Sequence, residues 1–338
     1  MKRVLGLVIA TLAALCVAAE KPERGDYPLT PVPFTEVRVD DPFWGPRLET
    51  NRTATIPYAI RMCEETGRID NFAVAAKLKA GKFVGYRYND SDVFKVLEAA
   101  AYSLHVHPDP GLAAKVDQIV SYIAAAQEPD GYLYTPRTID PKSMPPRTGP
   151  ERWSFLEQSH ELYNVGHMYE AAVAHFAATG RRTFLDGAIR NADLVCRTFG
   201  PAPAQRKDVP GHEEIEIGLV KLYRVTGDEK YLRQAAWFLD QRGRARGRKL
   251  YTYDGDVTYA QDHLPVAEQR EAVGHAVRAL YLYSGMADVA ALTGNADYWR
   301  ALDRLWGSIV GGKIYVTGGL GAAGANEAFG PPVALPEK

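Results

Sequence analysis

Cysteine is scarce. The 338 residues contain three, and Cys16 lies in a segment read below as removable. Cys63 and Cys196 cannot make a disulfide scaffold. Each sits among helix-forming residues beside an apolar neighbour, Met62 and Val195, so the plain expectation is two buried free thiols. One disulfide between them stays open, as does a functional thiol. The chain has no CxxC and no HExxH, so no common metal motif is spelled out in it. An excess of one charge is also missing: 40 Lys+Arg face 41 Asp+Glu, for a net charge of -1. No basic field exists to hold nucleic acid, and no acidic tail to hold cations. No apolar run reaches the roughly 20 residues that a membrane helix needs.

The longest apolar run is Val4 to Val17, behind the cations Lys2 and Arg3 and ahead of the small residues Val17-Ala18-Ala19. That order predicts a secretory signal over 1–19, cleaved after Ala19, and a periplasmic or secreted product. A retained membrane anchor is the competing reading. Residues 20–47 are proline-rich and weakly periodic. They read as an N-terminal arm, with a short edge strand at Val37–Asp40 and an aromatic turn at Asp41–Pro46. Residues 48–338 read as one domain of helices.

Helical spacing of apolar residues recurs. Val93, Leu97 and Leu104 form a stripe in a helix beginning at a Ser91 cap. Leu112, Val116, Ile119, Val120 and Ile123 form another, over 111–127. A third runs over 161–179. Behind these lies a loose repeat. A helix ends in Thr-Gly and a second helix starts with an aromatic near its head: Thr179-Gly180 before Phe184, Thr226-Gly227 before Tyr231, Thr293-Gly294 before Tyr298. Glycine suits the left-handed position just past a helix end. The stretches before Thr-Gly, 215–225 and 276–292, are apolar nearly all round, and those after it are one-faced. This alternation predicts an inner ring of helices within an outer ring. The expected fold is all-α, an α/α barrel. Nine or ten helices fall between Arg52 and Val310, whereas a closed barrel of six hairpins needs twelve, so the ring is expected to be incomplete at its C-terminal side.

The repeat also places histidines. His160, His212 and His275 precede their Thr-Gly by 19, 14 and 18 residues, so each lies near the head of an inner helix. Parallel inner helices would bring the three imidazoles to one pocket mouth. A helix N-terminus disfavours the imidazolium, and neutral imidazoles suit hydroxyl recognition, as in sugars. Separate capping histidines, or a zinc site made of all three, are the alternatives. His167, seven residues after His160, faces deeper or merely packs. His105, His107 and His175 fall out of register. Glycoside hydrolysis needs carboxylates, and Glu161, Glu213, Glu214, Asp262 and Glu327 are the candidates. Glu327 lies in a small-residue loop that a ligand can approach closely, although composition alone favours an exposed tail glutamate. Tyr86, Tyr88, Tyr132, Tyr134, Tyr251, Tyr253 and Tyr259 cluster in loops, where tyrosines either meet sugars or anchor the loop.

Several motifs occur in one order: Asp41-Pro-Phe-Trp44, Asp92-Val-Phe-Lys-Val-Leu-Glu-Ala99, Gln127-Glu-Pro-Asp-Gly-Tyr-Leu133, His160-Glu-Leu-Tyr-Asn-Val-Gly-His167, Pro210-Gly-His-Glu-Glu-Ile-Glu216, His263-Leu-Pro-Val266, Glu271-Ala-Val-Gly-His-Ala-Val-Arg278, Tyr315-Val-Thr-Gly-Gly-Leu-Gly321 and Asn326-Glu-Ala-Phe329. In these the chain resembles glycoside hydrolase family 127, the β-L-arabinofuranosidase-like group, from about Pro33 to Pro336. The resemblance implies an (α/α)6 barrel followed by β-sandwich domains. It also implies retaining hydrolysis of terminal arabinofuranosides from plant glycans, in which a zinc-bound cysteine thiolate attacks and a glutamate is acid/base. Glu327 matches the acid/base position. His160, His212 and His275 match sugar-contacting positions, and Glu161 falls in the sugar-facing motif. The family's zinc ligands, a glutamate and three cysteines, lie in segments beyond the region matching Leu335-Pro336. The expectation is therefore a chain that holds no zinc itself, corresponds to the N-terminal part of a longer enzyme, and turns over little or no substrate alone. Two rivals remain: another α/α-barrel sugar enzyme, such as a polysaccharide lyase or unsaturated-uronide hydrolase using Arg87 or Arg278 against a substrate carboxylate, and a non-catalytic sugar-binding remnant.

Overall fold

The computed structural model describes residues 25–336. The expected signal segment, 1–19 with Cys16, lies outside them. Thirteen α-helices occur among the described residues, and the only β pairing there consists of isolated bridges. α1 (Trp44–Thr50) runs through a π turn (Asn51–Thr55) into α2 (Ile56–Glu65), and α3 (Arg68–Ala75) turns back along it. α4 (Asn89–Val106) pairs with α5 (Pro110–Ala126). Two short helices follow, α6 (Thr135–Ile139) and α7 (Leu156–Ser159). Three more hairpins complete the order: α8 (Glu161–Thr179) with α9 (Thr183–Thr198), α10 (Ile215–Thr226) with α11 (Glu229–Gln241), and α12 (Ala276–Thr293) with α13 (Ala296–Gly312).

The inner row is α2, α4, α8, α10 and α12, each packed on the next. α3, α5, α9, α11 and α13 lie outside. This is the expected two-layered α/α arrangement, as an arc of five hairpins among the described residues. The layers follow from patterning. In α8 every residue from Glu161 to Tyr169 is buried. In α9 the buried set Phe184, Leu185, Ala188, Ala192 and Val195 makes one stripe.

The Thr-Gly repeat is a stop signal with two parts. Gly180, Gly227 and Gly294 are all left-handed, at φ 71°, 72° and 68°. The threonine before each glycine folds its hydroxyl back onto the carbonyl four residues earlier, at 2.6, 2.7 and 2.6 Å. The aromatics that follow, Phe184, Tyr231 and Tyr298, are buried between the layers.

Two inner helices approach very closely where both carry glycine. A Cβ on Gly166 of α8 would stand 2.7 Å from the Ile215 Cα and 1.5 Å from the Glu214 Oε2. A Cβ on Gly218 of α10 would meet the Gly166 carbonyl at 2.7 Å. That contact sets the distance between the heads of α8 and α10.

Two local expectations change. Val37–Asp40 pairs with nothing among the described residues, so it is no strand there. α4 begins at Asn89, two residues before the expected Ser91 cap; the Ser91 hydroxyl instead donates to the Tyr88 carbonyl at 2.8 Å inside the first turn. The arm crosses the C-terminal ends of the inner helices. Tyr27 donates to Asp288 (2.8 Å), Asp26 pairs with Arg224 (2.8 Å), and Phe34 sits edge-on to Tyr102. His105 bonds the Thr35 carbonyl, His107 is exposed, and His175 packs edge-on to Phe184. No described helix is long and apolar enough to cross a membrane.

Candidate active site

At the opposite end, the heads of the inner helices surround a cavity of about 630 Å³, within the usual ~300–1,000 Å³ of small-molecule sites. A second cavity of about 480 Å³ lies on the flank of α12 and α13. Apart from Asp303 its titratable lining is a single tyrosine, Tyr283, so the chemistry belongs to the first. His160, His212 and His275 stand along the wall of the first. Neighbouring ring centres are 5.5 Å apart from His160 to His212 and 5.7 Å from His212 to His275. The convergence expected from the repeat is therefore present. His160 and His275 are the residues just before α8 and α12, and His212 stands three residues before α10.

Hydrogen bonds fix the ring protons. His160 Nδ1 faces the Gln158 carbonyl at 2.7 Å, and His212 Nδ1 faces the Glu213 carbonyl at 2.9 Å. A carbonyl only accepts, so both Nδ1 atoms carry hydrogen and both Nε2 atoms are acceptors. His275 is reversed. Its Nδ1 accepts from the Arg278 backbone N–H (3.4 Å), which leaves the hydrogen on Nε2, 2.9 Å from Glu327 Oε2. Burial, reinforced by the Arg278 guanidinium, holds His160 and His212 well below the usual imidazole range. Burial and Arg278 lower His275 too, while Glu327 pulls it upward. The triad is uncharged at neutral pH.

The loops that present these rings are held from behind. His160 sits at φ 63°, a left-handed conformation that costs a non-glycine residue about 1 kcal/mol or more. Arg87 Nε bonds the Gln158 carbonyl at 2.5 Å, and the Tyr134 hydroxyl bonds the Ser159 carbonyl at 2.7 Å. Arg278 donates to the Gly211 carbonyl and Arg242 to that of Pro210. Glu327 lies in a one-turn 3-10 segment, Ala325–Glu327. A Phe329 N–H bond to the Gly274 carbonyl (2.9 Å) ties that loop to the head of α12. The Glu327 side chain is 77% exposed, so it stands at the mouth, open to a ligand.

The other carboxylates face elsewhere. Glu161 lies behind the wall: its carboxylate accepts from the Tyr132 hydroxyl (2.6 Å), the Trp153 N–H (3.1 Å) and the Ser159 hydroxyl (2.8 Å). Burial raises its pKa, and those three bonds oppose the rise. Glu161, expected in the sugar-facing motif, does not line the cavity and instead supports the loop that carries His160. Glu213 is buried 3.0 Å from Arg242, and Asp262 pairs with Arg248 at 2.5 Å. Neither reaches the cavity, nor does Glu214. Of the loop tyrosines, Tyr88, Tyr253 and Tyr259 line the cavity, Tyr132, Tyr134 and Tyr251 are buried supports, and Tyr86 stacks on Tyr88 outside it.

Tyr163 and Lys95 also line the cavity, though no motif singled them out. Tyr163, one helical turn after His160, places its ring 4.2 Å from that of His212. Lys95 of α4 donates to the Tyr163 hydroxyl at 2.7 Å, beside Ser91 and Asp92. The i, i+3 spacing of His160 and Tyr163 was the available signal.

The zinc implied by the resemblance does not fit the described residues. Cys63 on α2 and Cys196 on α9 are free, and neither lines the cavity. Burial pushes their thiols up to about 11 and about 12. The three cavity histidines are not close enough together to share an ion. Among the described residues one group has metal-like spacing, His167, Glu170 and Glu214, with ligand atoms within 4.8 Å of one another. It qualifies the expectation of no metal ligands. Its charge is already countered: Lys221 Nζ lies 2.5 Å from Glu170. Burial alone would raise Glu170, but bonds from His167 and Glu214 outweigh it and bring the pKa to about 2. Burial and the Glu170 charge push the Glu214 carboxyl well above the usual carboxylate range. The trio is buried, with His167 Nδ1 3.3 Å from Glu214 and 3.6 Å from Glu170.

The chain is similar to known proteins over most of its length. The family model "Beta-L-arabinofuranosidase, GH127 catalytic domain" matches residues 36–338. A non-reducing end β-L-arabinofuranosidase of Bifidobacterium longum subsp. longum is 36% identical over 325 residues, 87% of this chain and 49% of that protein. A solved β-arabinofuranosidase of the same family is 54% identical, with a TM-score of 0.84 over 90% of this chain and 47% of the other. A solved β-L-arabinofuranosidase from Geobacillus stearothermophilus is 40% identical, with a TM-score of 0.83 over 89% of this chain and 49% of the other. The chain spans about half the length of the relatives it matches.

Proposed function

The chain belongs to the glycoside hydrolase family 127 β-L-arabinofuranosidase catalytic domains, and on that footing we propose that its histidine-lined cavity seats a terminal β-L-arabinofuranosyl unit with Glu327 as acid/base. The observation that carries the proposal is the tautomer pattern along the wall. His160 and His212 offer Nε2 lone pairs to sugar hydroxyls, while His275 donates from Nε2 to Glu327. Hydroxyl groups donate to the two acceptors. The bond from His275 leaves Glu327 Oε1 to hand a proton to the leaving oxygen, and in the second half of a retaining reaction to take one from water. The cavity residues of this chain supply binding and proton transfer.

Arg87 and Arg278 both line the cavity, the position an anionic-substrate enzyme would need. Each is engaged instead in holding a backbone carbonyl, and the cavity is ample for a pentose, so the neutral sugar is the better reading. We propose a carbohydrate substrate, no nucleic-acid partner, and a periplasmic or secreted location following from the 1–19 reading.

The test is calorimetric titration of the chain with methyl β-L-arabinofuranoside, alongside assays of its hydrolysis. Wild type should bind. His212→Ala should bind at least tenfold more weakly. Glu327→Gln should keep binding while any turnover falls by about 10²-fold or more. Equal binding by wild type and His212→Ala would sink the assignment.

A further inference from the structure

We propose that the paired rings of Tyr253 and Tyr259 form the subsite for the leaving group, and that this group is a second neutral sugar ring. The inference rests on the acid/base role given to Glu327 above. An acid must lie within hydrogen-bond reach of the oxygen it protonates, so the departing group has to sit on the Glu327 side of the cavity. Glu327 bonds His275, the His275 ring meets Tyr259 at 5.5 Å and 84°, and Tyr259 stacks on Tyr253 at 4.5 Å and 25°. Both tyrosines line the same cavity as Glu327. Aromatic rings that carry hydroxyls are suited to sugar rings, which are apolar on their C–H faces and polar at their edges.

The platform is built before any ligand arrives. Tyr253 opens a tight turn in which Tyr253 and Asp256 exchange backbone bonds of 3.1 and 2.9 Å. Asp254 and Gly255 both have positive φ, 51° and 87°, the pattern of a type I′ turn. The Thr258 N–H and hydroxyl both bond Asp256, at 2.7 and 2.6 Å, and the Thr252 N–H bonds Glu157 at 2.5 Å. The His275 N–H bonds the Tyr259 carbonyl at 3.1 Å, which locks the platform to the residue that holds the acid. Arg147 reaches the Tyr253 hydroxyl at 3.3 Å and is exposed, so further N–H donors stand ready for hydroxyl groups. Preorganisation of this kind lowers the ordering cost of binding.

A second tyrosine pair, Tyr86 on Tyr88 at 5.4 Å and 7°, lies against His160 at the other end of the histidine row. Three imidazoles stand between it and Glu327, so it lies at the end of the row away from the acid.

The experiment compares affinities for two ligands by calorimetry: methyl β-L-arabinofuranoside, and a disaccharide carrying the same unit at its non-reducing end. Wild type should prefer the disaccharide by about tenfold, the worth of one good ring contact. Tyr253→Ala should bring that ratio toward one. Tyr253→Phe, which keeps the ring and the fold, should retain most of it, and Tyr86→Ala should retain all of it. A wild-type ratio near one overturns the subsite while leaving the pocket assignment intact. So does a ratio that collapses in Tyr86→Ala but survives in Tyr253→Ala. Failure of wild type to bind even the methyl glycoside overturns the pocket assignment, and the subsite with it.

Discussion

Gly166→Ala is the sharpest probe of how the scaffold sets the site. On helix propensity alone the change should help, by roughly 0.5–1 kcal/mol. The crossing of α8 and α10 forbids it. The new Cβ would sit 2.7 Å from the Ile215 Cα, whereas ordinary contacts begin at 3.4 Å. The backbones must therefore part by about 0.7 Å at least. The Glu214 carboxyl, 1.5 Å from the new atom, must also leave its place 3.3 Å from His167. Overpacking of this kind costs about 1–3 kcal/mol, so the net loss should be about 1–2 kcal/mol. With an unfolding entropy near 2.1 cal/mol/K per residue, that lowers Tm by roughly 1.5–3 °C. The functional effect should be larger. His160 and His212 ride on the heads of these two helices, and a displacement approaching 1 Å can cost as much as ~10²-fold where groups must converge on one ligand. Thermal denaturation followed by circular dichroism, with sugar titration on the same sample, reads both. A variant with raised Tm and unchanged sugar affinity would refute the crossing as the determinant of histidine spacing.

The folded-state pKa of His160 lies well below its unfolded value, so its contribution to stability is full above about pH 6.5 and is lost as pH falls beneath that. His160→Gln should therefore flatten the loss of stability on acidification, by at most about 1.4 kcal/mol per pH unit; parallel curves from pH 7 to 5 would contradict this. Glu161→Gln leaves the donors of Trp153 and Ser159 facing an amide, and should cost about 1–3 kcal/mol in denaturant unfolding and weaken sugar binding through His160. Cys63 and Cys196 are free thiols raised by burial. At pH 8 both should react slowly with a thiol reagent in the native protein and quickly once it is unfolded.

Much of this was readable along the chain, because helices and their ends are local. Thr-Gly at three helix ends, the all-round apolar stretches before it and the one-faced stretches after it reflect hydrogen bonds and burial within single hairpins. The histidine row was readable for the same reason: inner helices that run parallel carry their heads to one end, so a shared position at or near each helix head becomes a common place in space. The failures are local too. Val37–Asp40 has strand-like alternation but no neighbour to pair with among the described residues, and Ser91 has a capping side chain but sits inside the first turn.

The direction in which a carboxylate points was not readable. Glu161 follows His160 directly, yet its oxygens turn behind the wall because Tyr132, Trp153 and Ser159 offer three donors there. Glu213, next to His212, turns to Arg242 instead. The tautomers of the three histidines depend on which backbone group each ring meets, and those groups belong to the folded loops. Local spacing determined the helices, their order and the shared end of the histidines. Only the tertiary structure decided which atoms face the cavity, because that depends on donors and charges brought together from distant parts of the chain.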